Sequence, residues 1–158
     1  MRSKNTPHRT IVPDLKYNSL LVSKLINRLM YDGKKNVAAS QAYQALAKIK
    51  AEAKTDELTY LNQAIENIKP QIEVRSRRIG GASYQVPTPV RNERKETLAI
   101  RWLVTSARAK PNSQYHTLAD KLAAEITEAH ENQGNSIKKK LEIHRQAEAN
   151  KAFSHFRW

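Results

Sequence analysis

The chain has 158 residues and no cysteine, with 28 Lys and Arg against 15 Asp and Glu, a formal net charge of +13. The missing cysteines exclude a disulfide framework and thiolate metal sites, and no apolar run nears the roughly 20 residues of a membrane span. So large a positive excess repels itself in a compact chain, which points to a polyanion as partner, nucleic acid ahead of an anionic membrane surface.

The length suits one domain, residues 1–158, with a modest core. Residues 1–17 read as a basic extended arm carrying Arg2, Lys4 and Arg9, with prolines at 7 and 13, no helical period and no secretory signal. From Ser19 the positions Leu21, Val22, Leu25, Ile26, Leu29 and Met30 form the stripe of a first helix. Gly33 suits a left-handed residue beyond its end, and Lys34-Lys35 occupy the connecting turn. Asn36 is expected to cap a second helix that buries Val37, Ala38, Ala42, Ala45, Leu46 and Ile49. Thr55-Asp56 starts a third, with Leu58, Leu61, Ala64, Ile65 and Ile68 inward, and Pro70 stops it.

Residues 73–90, Glu73 to Val90, carry the most information. Gly80-Gly81 can take the positive backbone angles of a tight hairpin turn, which makes the flanking residues two antiparallel strands. Pro87 and Pro89 both lack a donor toward the same edge, which the open edge of a two-stranded ribbon tolerates and a central strand does not. Arg75 and Arg77 share one face and Arg78 takes the other. A ribbon of this length reaches roughly 23 Å, enough to enter a groove. Charge on an edge strand can serve only to prevent aggregation. Three arginines beside two edge prolines go beyond that need, and arginine's fork of donors matches phosphate oxygens in pairs.

Asn92 is expected to cap a fourth helix with Leu98, Ala99, Trp102, Leu103 and Ala107 inward, closed by Pro111. A fifth holds Leu118, Ala119, Leu122, Ala123 and Ile126, with Glu125, Glu128 and Glu131 as a solvated acidic face. The sixth begins near Ser136 with Ile137, Leu141 and Ile143 inward, and residues 150–158 form an aromatic tail. The fold class is mainly α: a six-helix bundle with a protruding two-stranded β-hairpin between helices three and four.

Arg94, Arg101 and Arg108 recur every seven residues and line one face of the fourth helix, extended by Arg91 and Lys95. Cations near a helix start oppose its dipole, so this stripe gains from an external anion. Tyr84, Tyr115 and the tail aromatics could stack on unpaired bases. Gly33-Lys34 superficially matches a phosphate-binding loop, but the upstream glycine and following hydroxyl residue are missing. Five scattered histidines and no nucleophile elbow, carboxylate dyad or dinucleotide fingerprint give no metal site, no cofactor and no catalytic residue. A DNA- or mRNA-binding helical regulator is the alternative. It would need base-reading side chains at an exposed helix start, where this chain has a phosphate-type stripe.

Asp32-Gly33-Lys34-Lys35-Asn36, the hairpin from Glu73 to Pro87, Leu98 to Val104, and Ala147-Glu148-Ala149-Asn150-Lys151-Ala152 through Arg157-Trp158 closely resemble bacterial small-subunit ribosomal protein seven. The resemblance implies a structural, primary rRNA-binding protein that nucleates assembly of the small-subunit head, the 3′ major domain. It implies rRNA contacts at Lys34, Lys35, Arg75, Arg77, Arg78 and the fourth-helix arginines. Ser83, Tyr84, Gln85, Arg145 and Lys151 would lie near exit-site tRNA and mRNA. Phe153, His155, Phe156, Arg157 and Trp158 would meet neighbouring head and platform proteins. The expected location is a cytoplasmic ribosome, without separating it from an organellar one. The loop Lys110-Pro111-Asn112-Ser113-Gln114-Tyr115 is less basic than the family pattern, so no rRNA contact is expected from it.

Overall fold

The helical periods become six α-helices in the computed structural model, which describes residues 10–53 and 55–156. Among these residues α1 spans Leu20–Leu29, α2 Lys35–Ala53 and α3 Glu57–Ile68. Strands β1, Ile72–Ile79, and β2, Ala82–Pro89, follow, then α4 at Asn92–Ala109, α5 at Leu118–His130, α6 at Gly134–Ala149 and a 3-10 turn at Lys151–Phe156. Arg2, Lys4, Arg9, Arg157 and Trp158 lie outside the described residues.

Side-chain caps set several of these boundaries. Ser19 accepts the Val22 N–H, and Asp56 accepts the Thr59 N–H at 3.0 Å. Thr117 and Asp120 form a reciprocal box on α5. Such caps contribute about 1 kcal/mol each. Asn36 and Asn92 do not act as caps. The turn in which the Lys34 N–H donates to Tyr31 O at 2.9 Å and the Lys35 N–H to Gly33 O at 2.8 Å delivers the chain into α2 at Lys35, before Asn36. Asn92 is already helical, and Arg91 holds the cap position with no side-chain hydrogen bond.

Helix α5 is the centre of the bundle and packs against α2, α3, α4 and α6. Its alanines 119, 123 and 129 and those at 42 and 45 of α2 are all buried, so the backbones can approach closely around Leu122 and Ile126. Burying each of these two large side chains stabilises the fold by about 1.5–3 kcal/mol. The expected inward set needs correction at its margins. Val37 and Leu141 are each 59% exposed, while Leu58 and Trp102 are only half-buried. Val37 sits one step off the Ala38–Ala42–Ala45 line. On α6 the buried line runs through Ile137 and Ala147, because this helix turns its inner face to the hairpin as well as to the bundle.

The arm is fastened from Val12 onward rather than extended throughout. The Ser23 hydroxyl donates to Val12 O at 2.8 Å, and Asp14 accepts the Lys16 and Tyr17 N–H groups at 3.1 Å. The Tyr43 hydroxyl donates to the other Asp14 oxygen at 2.6 Å. That hydrogen bond, with burial behind it, pushes the phenol up to about 12.

Gly80 and Gly81 have φ of 54° and 93°, the two positive angles a type I′ turn requires. The register pairs Ile79 with Ala82, Val74 with Pro87 and Ile72 with Pro89. Counting from the closing pair, which exchanges hydrogen bonds, Pro87 and Pro89 fall at sites whose N–H would point away from β1. The ribbon is less isolated than its length suggests, since Val86 and Pro87 are buried where α6 and the 3-10 turn pack on it.

Candidate nucleic-acid interface

Two arginines and one carboxylate fix the root of the hairpin. Glu73 is buried, accepts from Arg75 Nε at 2.6 Å, and receives Arg94 Nε at 3.0 and 2.7 Å on its two oxygens. Burial alone would raise its pKa, but the two guanidiniums hold the carboxyl below the usual range. The cluster therefore keeps one net positive charge and ties β1 to the first turn of α4. Both arginines remain exposed.

The rest of the stripe runs along α4. Arg91, Arg101 and Arg108 are exposed and Lys95 is half-buried. Lys95 Nζ donates to Gln71 Oε1 at 2.9 Å, while Arg108 donates to Leu29 O at 2.9 Å and lies 5.4 Å from the Tyr31 ring centroid. Lys34 and Lys35 are exposed in the α1–α2 turn. On the ribbon, Arg78 is exposed and Arg77, on the Glu73–Arg75 face opposite Tyr84, is half-buried.

Nearer the turn, the face that carries Arg77 meets the tail. Tyr84 lies 5.3 Å from Phe153 and 5.5 Å from Phe156, centroid to centroid, so the 3-10 turn seats on β2. Tyr84 is therefore committed to the fold rather than held open for a base, and Phe153 and Phe156 reach the ribbon instead of packing back on α6. His155 is exposed beside Phe156, at 4.0 Å. Ser83 and Gln85 are exposed near the tip, while Arg145 and Lys151 are exposed toward the root, where His144 bonds Gln71 and Lys151 borders Ile72, Pro87 and Pro89. The ribbon and the tail form one unit.

Sequence reasoning missed a buried charge network. Glu125, expected to be solvated, is 0% exposed. One of its oxygens accepts the Ser136 N–H at 2.8 Å, and the other stands 3.2 Å from Lys110 Nζ. Lys110 also bonds Glu128 at 2.6 Å. Burial lowers the Lys110 pKa, but the two carboxylates outweigh it and raise the ammonium above its ordinary value. Lys121 Nζ, likewise buried, donates to Lys110 O and Asn112 Oδ1, each at 2.6 Å. One signal was available: Leu118, Leu122, Glu125 and Ala129 are spaced as one helical face. Among the described residues no three His, Asp or Glu side chains gather as a metal site, and no helix is long and apolar enough to cross a membrane.

The profile of the family described as "Ribosomal protein S7p/S5e" matches residues 1–151. The chain is 52% identical over 157 residues to the Streptococcus mutans protein named small ribosomal subunit protein uS7, with 99% of each chain covered. The proteins of the same name from Azorhizobium caulinodans and Pelagibacter ubique are 49% and 47% identical over 157 residues, again covering 99% of each. The chain belongs to the S7p/S5e family. It is thus a structural, non-enzymatic ribosomal protein. The S7p/S5e match also covers the hairpin, α4 and the α1–α2 turn, the segments that carry the exposed cations.

Proposed function

We propose that this chain is a structural constituent of the small ribosomal subunit and binds its rRNA directly, as a primary binder that nucleates assembly of the head, the 3′ major domain. Lys34, Lys35, Arg75, Arg77, Arg78, Arg91, Arg94, Lys95, Arg101 and Arg108 meet the folded backbone, with Arg2, Lys4 and Arg9 of the arm adding to them. One observation carries the reading: among the described residues, the only acidic side chain paired with the stripe arginines on the root of the ribbon and along α4 is Glu73, shared between two of them. The remaining charge is offset by phosphates, whose neutralisation releases counterions and makes affinity fall steeply with salt. Shape rather than base sequence selects the site, as for most folded RNA.

Ser83, Tyr84 and Gln85 on the ribbon, with Arg145 near the end of α6 and Lys151 at the start of the tail, approach exit-site tRNA and the emerging mRNA. His155, with the outer edges of Phe153 and Phe156 and with Arg157 and Trp158, offers the contact to neighbouring head and platform proteins. The whole chain acts as one ribosome-bound domain. The test is equilibrium binding of the full chain to a 3′ major domain rRNA fragment over a salt series. Changing Arg75, Arg77 and Arg78 together to Ala should weaken binding and flatten the dependence on log salt. An unchanged slope, or duplex DNA bound as tightly at equal salt, would reject the reading.

A further inference from the structure

Between the α1–α2 turn and the loop after α4 lies a cleft of about 440 Å³, within the roughly 300–1,000 Å³ range of small-ligand sites. Leu29, Ala38 and Leu118 form its apolar bed, and Lys34, Arg108 and His116 stand at its walls. Tyr31, also on its lining, is 68% exposed, with its ring centroid 5.4 Å from the Arg108 guanidinium.

Two amides in the lining have fixed orientations. Gln41 Oε1 accepts the Ala119 N–H at 3.0 Å, which leaves Nε2 with its donors to offer. Asn112 Oδ1 accepts from Lys121 Nζ at 2.6 Å, which leaves Nδ2 likewise. An apolar bed, an exposed ring, amide donors on the lining and flanking cations are the requirements of one ligand chemistry: a planar base with carbonyl oxygens, attached to a phosphate. We infer that this cleft receives a single unpaired nucleotide of the bound RNA, its base stacked on Tyr31 and its carbonyl edge on Gln41 and Asn112, with Lys34 and Arg108 on the adjoining phosphates. The inference rests on the rRNA-binding reading and adds to it a contact made through a base. It also gives the loop after α4 a part despite its low charge, by way of Asn112.

Stacking is not a counterion effect, so it separates from the phosphate contacts in a salt series. In the full chain, Tyr31→Ala should weaken binding to the 3′ major domain fragment by about fivefold to 150-fold, the range for one stacked base, with the salt slope unchanged. Tyr31→Phe keeps the ring and should bind as the unaltered chain does. Ultraviolet crosslinking of the unaltered complex should join a base to the peptide containing Tyr31. Unchanged affinity in Tyr31→Ala, a loss accompanied by a shallower slope, or crosslinks confined to other peptides would each overturn the inference. If the unaltered chain fails to bind the fragment at all, the rRNA-binding reading falls with it. Normal binding with an indifferent Tyr31→Ala sinks the base contact alone.

Discussion

Replacing Lys110 by methionine tests the buried network most directly. Methionine keeps much of the side chain's length but removes the cation 3.2 Å from Glu125 and 2.6 Å from Glu128. Glu128 is 35% exposed and can return to water, whereas Glu125 has no exposed surface and keeps only the Ser136 N–H. Breaking a buried pair from one side costs about 3–5 kcal/mol. At ~2–4 °C per kcal/mol for a chain of this size, Tm should fall by roughly 6–20 °C. The sign with pH is decisive. Without Lys110, the buried Glu125 charge is left uncompensated, and burial disfavours the ionised carboxylate. The penalty is therefore absent where the carboxyl is protonated and grows as rising pH ionises it. Circular dichroism melts from about pH 5 to 8 should show the gap to the unaltered chain widening with pH. Glu125→Gln, which keeps an acceptor for Ser136 and buries no charge, should show a smaller loss and no widening. A Lys110→Met variant that melts with the unaltered chain at the upper pH, or a gap independent of pH, would refute the reasoning.

Two further perturbations probe the frame of the site. Gly134 has φ of +87°, and a Cβ there would come within 2.9 Å of Glu128 Oε2 and 3.1 Å of Glu125 Oε1. Gly134→Ala should therefore cost about 2 kcal/mol or more, a Tm loss of roughly 4–8 °C read by the same melts. His144 Nε2 accepts the Gln71 N–H at 3.1 Å, and burial together with nearby Lys140 lowers its pKa. A depressed imidazole stabilises the fold above its unfolded pKa of about 6.5 and loses that contribution as pH falls through the folded value. His144→Gln should flatten this acid limb of the stability profile. An unchanged limb would mean that other groups control it.

Features set by neighbours along the chain were legible in the sequence. Ser19 and Thr55-Asp56 as helix starts, Gly80-Gly81 as the turn and Pro87 with Pro89 on one edge all follow from local stereochemistry, whereas Asn36 and Asn92, expected as caps, lie inside their helices. The seven-residue arginine spacing survives because α4 is one uninterrupted helix. What escaped notice depends on partners distant in sequence. Glu125 falls on an apolar face, and its burial is tolerable only because Lys110, from another helix end, comes to meet it. Tyr84 read as available because the tail that covers it lies about 70 positions on, at Phe153. Tyr31 carried no periodic signal, and its exposure emerges only when α4 brings Arg108 alongside.

Glu73 changes the arithmetic of binding. Counting side chains, the ribbon offers Arg75, Arg77 and Arg78, and each cation that displaces a counterion adds about one to the salt slope. Arg75, however, shares a buried carboxylate with Arg94, and the trio holds one surplus charge rather than two. Arg75→Ala leaves Arg94 alone with Glu73 as a neutral pair, so the whole surplus of the root goes with Arg75. The triple variant should then lower the slope by about three. Adding Glu73→Gln to the unaltered chain should steepen the slope by about one while loosening the ribbon root, because both guanidiniums then seek phosphate. A Glu73→Gln variant with no steepening would show that the carboxylate yields its arginines once RNA arrives and that the root is rebuilt around phosphate.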